Sequence, residues 1–351
     1  MDRDRSHGHR RAVTSVVLTG AASALGRRVR ARLEADPGVG RVVEVDLTDG
    51  LDHPAADLKA ALEGAAGLIH LGRTDGAELD GTGAGGVDVE GTRHLLGAAG
   101  AVGVEHIVVL SSATVYGAWP NNPVPLTEEA PVRPNPGLAY ATHKAEVERQ
   151  ARELADAHPS LGVAVLRPTV AVAEERTAWL AQSLWSGTGL RPGDAEAPSQ
   201  FVHLDDLADA VDLARRKLLR GVYNVAPDGW IKADDLRALA GRGPNVRLPE
   251  RLVTRVAAWR WKFGLTPTPP GVVAYVANPW VVANDRLRAA GWSPEYSNEE
   301  AYVSSHQPSG WAALSGRRRQ EIVLAGVGAG ALAGVAAVVL AVRAVLKRRS
   351  A

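Results

Sequence analysis

The sequence predicts an α/β fold: a doubly wound parallel sheet, a smaller C-terminal substrate-binding subdomain and a C-terminal transmembrane helix. Three observations predict it. Short apolar runs alternate with helical patterns from Val13 to Pro168, the cadence of strand–helix units whose sheet is buried on both faces. A turn with a glycine at each end, Gly20-Ala21-Ala22-Ser23-Ala24-Leu25-Gly26, follows the first apolar run. An uncharged run from Ile322 to Val342 makes a helix about 31 Å long, against a hydrocarbon core of about 30 Å.

Taken in order, Val13 to Thr19 reads as a buried strand, and a helix follows the glycine turn to about Ala35. Gly20 lets the backbone turn and approach a phosphate, Gly26 allows helix to pack closely on strand, and the helix N-terminus offers free N–H groups. Ser23 stands where a middle glycine is usual. A second strand, Arg41 to Val45, ends in Asp46; Asp57-Leu58 precedes a short helix. Gly67 to Gly72 is a third strand, and Thr74 to Gly86 a glycine-rich mobile loop. Val87 to Ala99 is a helix carrying Gly91-Thr92, and Glu105 to Leu110 a fourth strand running into Ser111-Ser112. The proline-rich segment from Ala118 to Gly137 is a long loop of the kind that often serves function. A helix with Tyr140 and Lys144 follows, then a strand from Val163 to Leu166.

Composition narrows the function classes. The 351 residues suit one large α/β domain with an appendage, or two modest domains, and 46% hydrophobic content supports a sizeable core. A net charge of +1 offers no bulk attraction for nucleic acid. With no cysteine, disulfides, thiol catalysis and cysteine-based zinc sites are excluded, and no metal site is expected. Residues 1–11 read as a disordered basic tail. No signal peptide is expected, because the run from Val13 to Leu18 is too short for one.

The chemistry centres on Tyr140-Ala141-Thr142-His143-Lys144. Positions four apart share a helix face, so the phenol and the ammonium can address one point. A nearby ammonium favours the phenolate, which makes a proton donor or acceptor usable near neutral pH.

With Gly20 to Gly26, Asp46, His70-Leu71-Gly72, Gly91-Thr92, Ser111-Ser112-Ala113-Thr114-Val115-Tyr116-Gly117 and Tyr140-x-x-x-Lys144 in this order, the chain resembles the extended short-chain dehydrogenase/reductase superfamily. Within it, the chain is similar to the NAD-dependent epimerase/dehydratase family, from about Val13 to Tyr302. Phe201-Val202-His203-Leu204-Asp205-Asp206-Leu207, Gly221 to Val225 and Gly291-Trp292-Ser293-Pro294 agree. The resemblance implies a Rossmann-type sheet and NAD as cofactor. It implies Tyr140 as catalytic acid/base, Ser112 as the group that hydrogen-bonds the reacting oxygen, and Lys144 as the residue that binds the nicotinamide ribose and tunes Tyr140. The implied cofactor-binding residues are Gly20, Ser23, Leu25, Gly26, Asp46, Asp57, Leu58, Leu71, Tyr140 and Lys144. Asp46 favours NAD over NADP by repelling a 2′-phosphate. Arg27 and Arg28 lie inside the first helix and are expected to face solvent. Homodimerisation through helices like those of Gly91 and Tyr140 is a further implication.

The pattern departs from the family at several places. Asp88 replaces an asparagine and Gly72 an alanine; Ser199 stands where sugar-nucleotide epimerases carry an arginine against a diphosphate; Thr169 to Ala173 lacks the usual asparagine motif. Trp179, Trp185, Trp230, Trp259, Trp261, Trp280, Trp292 and Trp311 concentrate in the C-terminal half. They suit packed aromatics of a small subdomain, or a membrane interface with Arg251, Arg255, Arg260 and Lys262 on a helix from Leu248 to Gly264.

The expected organisation is therefore a basic tail (1–11), an NAD-binding domain with the catalytic residues (12–170), a substrate subdomain (171–310) with elements returning to the sheet around 200–226, and an anchor (322–342). The expected function is an NAD-dependent oxidoreductase of the epimerase/dehydratase type, acting at a secondary alcohol or ketone of a small sugar-like substrate. Two alternatives stand beside it: a dehydrogenase of a lipophilic, steroid- or lipid-like alcohol, and a non-catalytic NAD(H)-binding membrane protein. The expected location is the membrane, with the catalytic domain cytoplasmic.

Overall fold

The computed structural model describes residues 14–47, 55–72, 84–173, 190–192, 197–239, 246–266 and 268–305. The strands are β1 (Thr14–Thr19), β2 (Val39–Val45), β3 (Ala65–His70), β4 (His106–Leu110), β5 (Gly162–Pro168), β6 (Val170–Val172), β7 (Leu190–Pro192), β8 (Phe201–His203), β9 (Gly221–Val225) and β10 (Val246–Leu248). Between them run α1 (Ala24–Ala35), α2 (Ala55–Leu62), α3 (Ala84–Val102), α4 (Ala139–Ala157), α5 (Leu204–Arg216), α6 (Ala233–Leu239) and α7 (Glu250–Lys262). After β10, α7 is followed by α8 (Val272–Ala277), α9 (Asp285–Ala289) and α10 (Asn298–Ser305). The described residues up to 236, together with those from 246 to 305, belong to one compact unit.

Six parallel strands make the main sheet in the order β2-β1-β3-β4-β5-β9. Strand alternation divides the core in two. Val16 and Leu18, Val108 and Leu110, and Ala164 and Leu166 pack under α1 and α5. Val17, Ile107, Val109, Val163 and Val165 pack on the other face with Leu58 and Leu62 of α2, Leu95 and Ala99 of α3, and Val147 and Ala151 of α4. Burial on both faces explains why these strands read as near-continuous apolar runs. The short pairs β6–β8 and β7–β10 lie outside the main sheet.

The C-terminal elements are fastened to the sheet by specific polar contacts. Buried Asp206 of α5 accepts the N–H groups of Glu295 (2.8 Å) and Tyr296 (3.1 Å). Asn298 Oδ1 accepts Phe201 N–H at 3.0 Å. Leu126, in the proline-rich loop, pairs with Val282 in a parallel bridge. The same loop meets the start of α8 backbone to backbone: a Cβ at Gly271 would lie 1.9 Å from the Gly137 carbonyl oxygen.

Several expectations are corrected. Asp57 and Leu58 lie inside α2 rather than before a helix. Among the described residues no helix is long and apolar enough to cross a membrane. The 19-residue helices α3 and α4 are interrupted by charge: Glu90 and Arg93 in one, Lys144, Glu146, Glu148 and Arg149 in the other. Residues 322–342, where the anchor was expected, lie outside the described residues. The transmembrane helix is withdrawn from the fold assignment. The membrane partner, the membrane-anchored location and the non-catalytic membrane alternative go with it. The tryptophans divide: Trp280 and Trp292 are buried, whereas Trp230 and Trp259 are exposed. Trp179, Trp185 and Trp311, the tail 1–11 and most of the loop after Gly72 lie outside the described residues.

Candidate functional site

The sheet order reverses direction at β1 and β3, and their C-terminal ends open the crevice where doubly wound sheets bind ligands. Gly20 follows β1 with φ +71°, and a Cβ there would lie 2.8 Å from the Gly72 carbonyl oxygen and 3.3 Å from Leu71 Cβ. At Gly26 a Cβ would lie 2.1 Å from the Gly20 carbonyl oxygen. Both glycines are therefore required by backbone packing: Gly20 by its conformation and Gly26 by space. Ser23, in place of the middle glycine, caps α1: its Oγ accepts Gly26 N–H at 2.9 Å. The N–H groups of Ala24 and Leu25 lie in the first helical turn, where the helix itself supplies no acceptor. This helix start, tight against the ends of β1 and β3, fits a bound pyrophosphate.

Behind the cradle is a buried polar chain. The register pairs Thr19 with His70, and Thr19 Oγ1 meets His70 Nδ1 at 2.8 Å; His70 Nε2 meets Thr92 Oγ1 of α3 at 2.8 Å. The His-Leu-Gly and Gly-Thr motifs thus lock α3 to the sheet beneath the crevice. Arg28 is turned away from it: its Nε donates to Asp205 of α5 at 3.0 Å. Exposed Arg27 folds back to the Ala22 carbonyl at 2.8 Å. Asp46, exposed, stands at the end of β2. Leu58 is buried in the core under the sheet, and Leu71 is fully buried beside Gly20, so neither side chain is available at the surface of the crevice.

The expected catalytic residues lie farther along the same sheet edge. β4 runs into Ser111-Ser112 and then a single 3₁₀ turn, Ala113–Tyr116, against which α4 packs. Ser112 is buried; its Oγ accepts the Thr114 N–H (3.2 Å) and lies in hydrogen-bond contact with the Thr114 hydroxyl (3.0 Å). Tyr140 is half-buried in the first turn of α4, and Lys144 is 2% exposed with its Nζ 5.8 Å from the centre of the Tyr140 ring. The four-residue spacing does bring ammonium and phenol to one helix face.

The structure adds residues that motif reading passed over. Glu148, one further turn along α4, accepts from Ser111 Oγ (2.6 Å) and from Arg167 Nε (2.8 Å) and Nη2 (2.5 Å). The Arg167 guanidinium stands 4.6 Å from the Tyr116 ring, and the Tyr116 hydroxyl donates to Asn224 Oδ1 at 2.8 Å. Burial pushes Arg167 down, but Glu148 outweighs it and holds the guanidinium above its ordinary pKa. Burial, with a smaller push from the Glu128 and Glu148 carboxylates, raises Tyr116 to about 12 against the pull of Arg167. From α8, the Tyr275 hydroxyl donates to the Thr114 carbonyl at 2.8 Å. The signal for Glu148 was its place four residues beyond Lys144; Asn224 lies in the Gly221 to Val225 motif, which marks no partner for it, and Tyr275 carries no local signal.

Comparison with known proteins agrees with this geometry. A 25% identical protein of Mycobacterium tuberculosis with no assigned activity matches over 82% of this chain and 82% of its own length. The UDP-glucose 4-epimerase of Azospirillum brasilense is 29% identical over 60% of this chain and 62% of its own. The crystal structure of the Thermus thermophilus UDP-glucose 4-epimerase complexed with NAD superposes with a TM-score of 0.60 and 20% identity, over 83% of this chain and 97% of that one, which shows the shared fold. The family model described as "NAD dependent epimerase/dehydratase family" matches residues 16–226, from the core of β1 to just past β9. With most of the sheet and the whole crevice inside that match, the chain belongs to the NAD-dependent epimerase/dehydratase family, and its cofactor is NAD.

Proposed function

We propose that the protein inverts or otherwise remodels a secondary alcohol of a nucleoside-diphosphate sugar through a transient ketone. The observation that carries the reading is the buried Lys144 beside Tyr140 on the helix packed against the Ser112 turn. The Azospirillum relative, named as a UDP-glucose epimerase, supports the substrate class. When bound, NAD supplies hydride abstraction and return at the carbinol carbon. Residues toward it are Gly20, the Ala24 and Leu25 N–H groups, Gly26 and Asp46, with Lys144 toward the nicotinamide ribose. Tyr140 takes the proton from the substrate hydroxyl and returns it. Ser112 donates a hydrogen bond to the same oxygen as charge develops there. Lys144 holds positive charge where the phenolate forms.

Ser199 favours a second reading, a lipophilic alcohol. It is half-buried and bound through its backbone to Ile231 (3.0 and 2.9 Å), and offers no cation to a diphosphate.

The test is turnover of UDP-glucose, UDP-N-acetylglucosamine and UDP-glucuronic acid with NAD, followed by proton NMR, for wild type and Tyr140→Phe. The reading expects conversion of at least one sugar, a loss of about 10²–10⁴-fold in kcat on substitution, and NAD affinity within about threefold of wild type. Undiminished turnover by Tyr140→Phe overturns the catalytic assignment. Conversion of steroid or fatty alcohols but none of the UDP-sugars favours the second reading.

A further inference from the structure

The hydrogen bonding around Ser112 defines which way its hydroxyl works. A serine hydroxyl has one proton to donate and two lone pairs to accept with. One acceptor position of Ser112 Oγ is taken by the Thr114 N–H at 3.2 Å, and the Thr114 hydroxyl lies 3.0 Å away; when Ser112 gives its one proton to the reacting oxygen, that hydroxyl can only donate and fills the second position. Both side chains are buried, Ser112 at 2% and Thr114 at 0% exposure, so bulk water does not compete. Thr114 is itself held on its other side. Its carbonyl accepts from Gly117 N–H (3.0 Å) and from the Tyr275 hydroxyl of α8 (2.8 Å). Burial keeps the Tyr275 hydroxyl protonated, since it pushes the phenol up from its ordinary value.

We infer that Thr114 is a positioning residue that holds Ser112 as a hydrogen-bond donor to the reacting oxygen. The inference rests on the reading that Ser112 addresses that oxygen. While Thr114 donates to both of its lone pairs, Ser112 offers no acceptor to Tyr140 or to the substrate. Tyr140 therefore moves the proton alone, and Ser112 contributes a directed O–H. Without the Thr114 hydroxyl, the Ser112 hydroxyl regains a free lone pair and rotates among donor and acceptor orientations, of which one suits the transition state. Donors aimed in advance at a developing charge cost no reorientation during reaction. Because the group acts on the transition state more than on the ground state, its loss falls on kcat and spares KM.

The experiment is a double-mutant cycle on the full-length protein with NAD, read as kcat and KM on whichever UDP-sugar of the panel wild type converts. Thr114→Val and Thr114→Ala, two variants of different bulk, each lower kcat about tenfold with KM within about twofold, the worth of one hydrogen bond to a developing charge. Thr114→Ser, which keeps the hydroxyl, restores kcat to within about threefold of wild type. In a Ser112→Ala background, Thr114→Val changes kcat by less than about twofold, because its target is gone. Equal losses in both backgrounds, or failure of Thr114→Ser to rescue, overturn the inference while leaving Ser112 in place. Full activity of Ser112→Ala overturns the underlying reading of Ser112, and no turnover of any UDP-sugar by wild type overturns the substrate class; in either outcome the inference falls with it.

Discussion

Replacing Glu148 by alanine breaks an ion pair that is buried on both sides. The carboxylate and its partner Arg167 are each 2% exposed, and three donated hydrogen bonds converge on it: one from Ser111 Oγ and two from Arg167. Once the carboxylate is gone, the guanidinium keeps only its stacking on Tyr116, because Arg167 Nη1 already has no hydrogen-bond partner among the described residues. An uncompensated charge held in the interior costs about 3–5 kcal/mol, against about 0.5 kcal/mol for an exposed pair. Arg149 supplies the exposed control: its side chain is 50% exposed and pairs with Glu146 and Glu153 on the same helix. Urea unfolding followed by circular dichroism should therefore show a loss of about 3–5 kcal/mol for Glu148→Ala and within about 0.5 kcal/mol for Arg149→Ala. Glu148→Leu combined with Arg167→Met buries no charge and should recover most of the loss. A cost below about 1 kcal/mol for Glu148→Ala, or a double variant less stable than the single one, would refute the argument.

Three further outcomes follow from local geometry. Gly271→Ala places a Cβ 1.9 Å from the Gly137 carbonyl oxygen and should destabilise by more than about 2 kcal/mol, whereas Gly97→Ala, exposed on α3 with nothing within 4 Å, should stabilise by about 0.5–1 kcal/mol; equal melting temperatures would contradict both. Asp46→Ala should shift the NAD-to-NADP affinity ratio by about tenfold toward NADP in calorimetric titration, and an unchanged ratio removes Asp46 from the ribose site. Burial pushes Tyr116 and Tyr302 up to about 12 and Tyr275 higher still, above an unfolded value of about 10. The folded state thus keeps protons that the unfolded chain releases. Stability from these groups is full below pH about 10 and falls as pH rises toward about 12, by about 1.4 kcal/mol per pH unit for each tyrosine. Urea midpoints that stay flat from pH 9 to 11, both nominal buffer values at roughly that spacing, would oppose it.

Much of the sheet and crevice was legible because their signals are local. Apolar runs buried on both faces mark strands, and Gly20 and Gly26 announce a turn that tolerates no side chain. Tyr140 and Lys144 read correctly as neighbours because helix geometry alone fixes a four-residue spacing. Asp57 and Leu58 differ in placement only: the sequence puts them before a helix, whereas they lie inside α2, Leu58 in the core and Asp57 exposed in the first turn.

By itself, then, the sequence determined the parallel sheet, the glycine cradle and the pairing of phenol with ammonium, each the product of contacts within a few residues or of burial pattern. Only the tertiary structure decided how those groups are held. Tyr275 reaches Thr114 across 161 residues, Tyr116 reaches Asn224 across 108, and Glu148 finds Ser111 and Arg167 at the ends of two different strands. Such partners are chosen by where the packed sheet brings its edges together, and a hydroxyl or carboxylate carries no local mark of the partner that burial will require it to find.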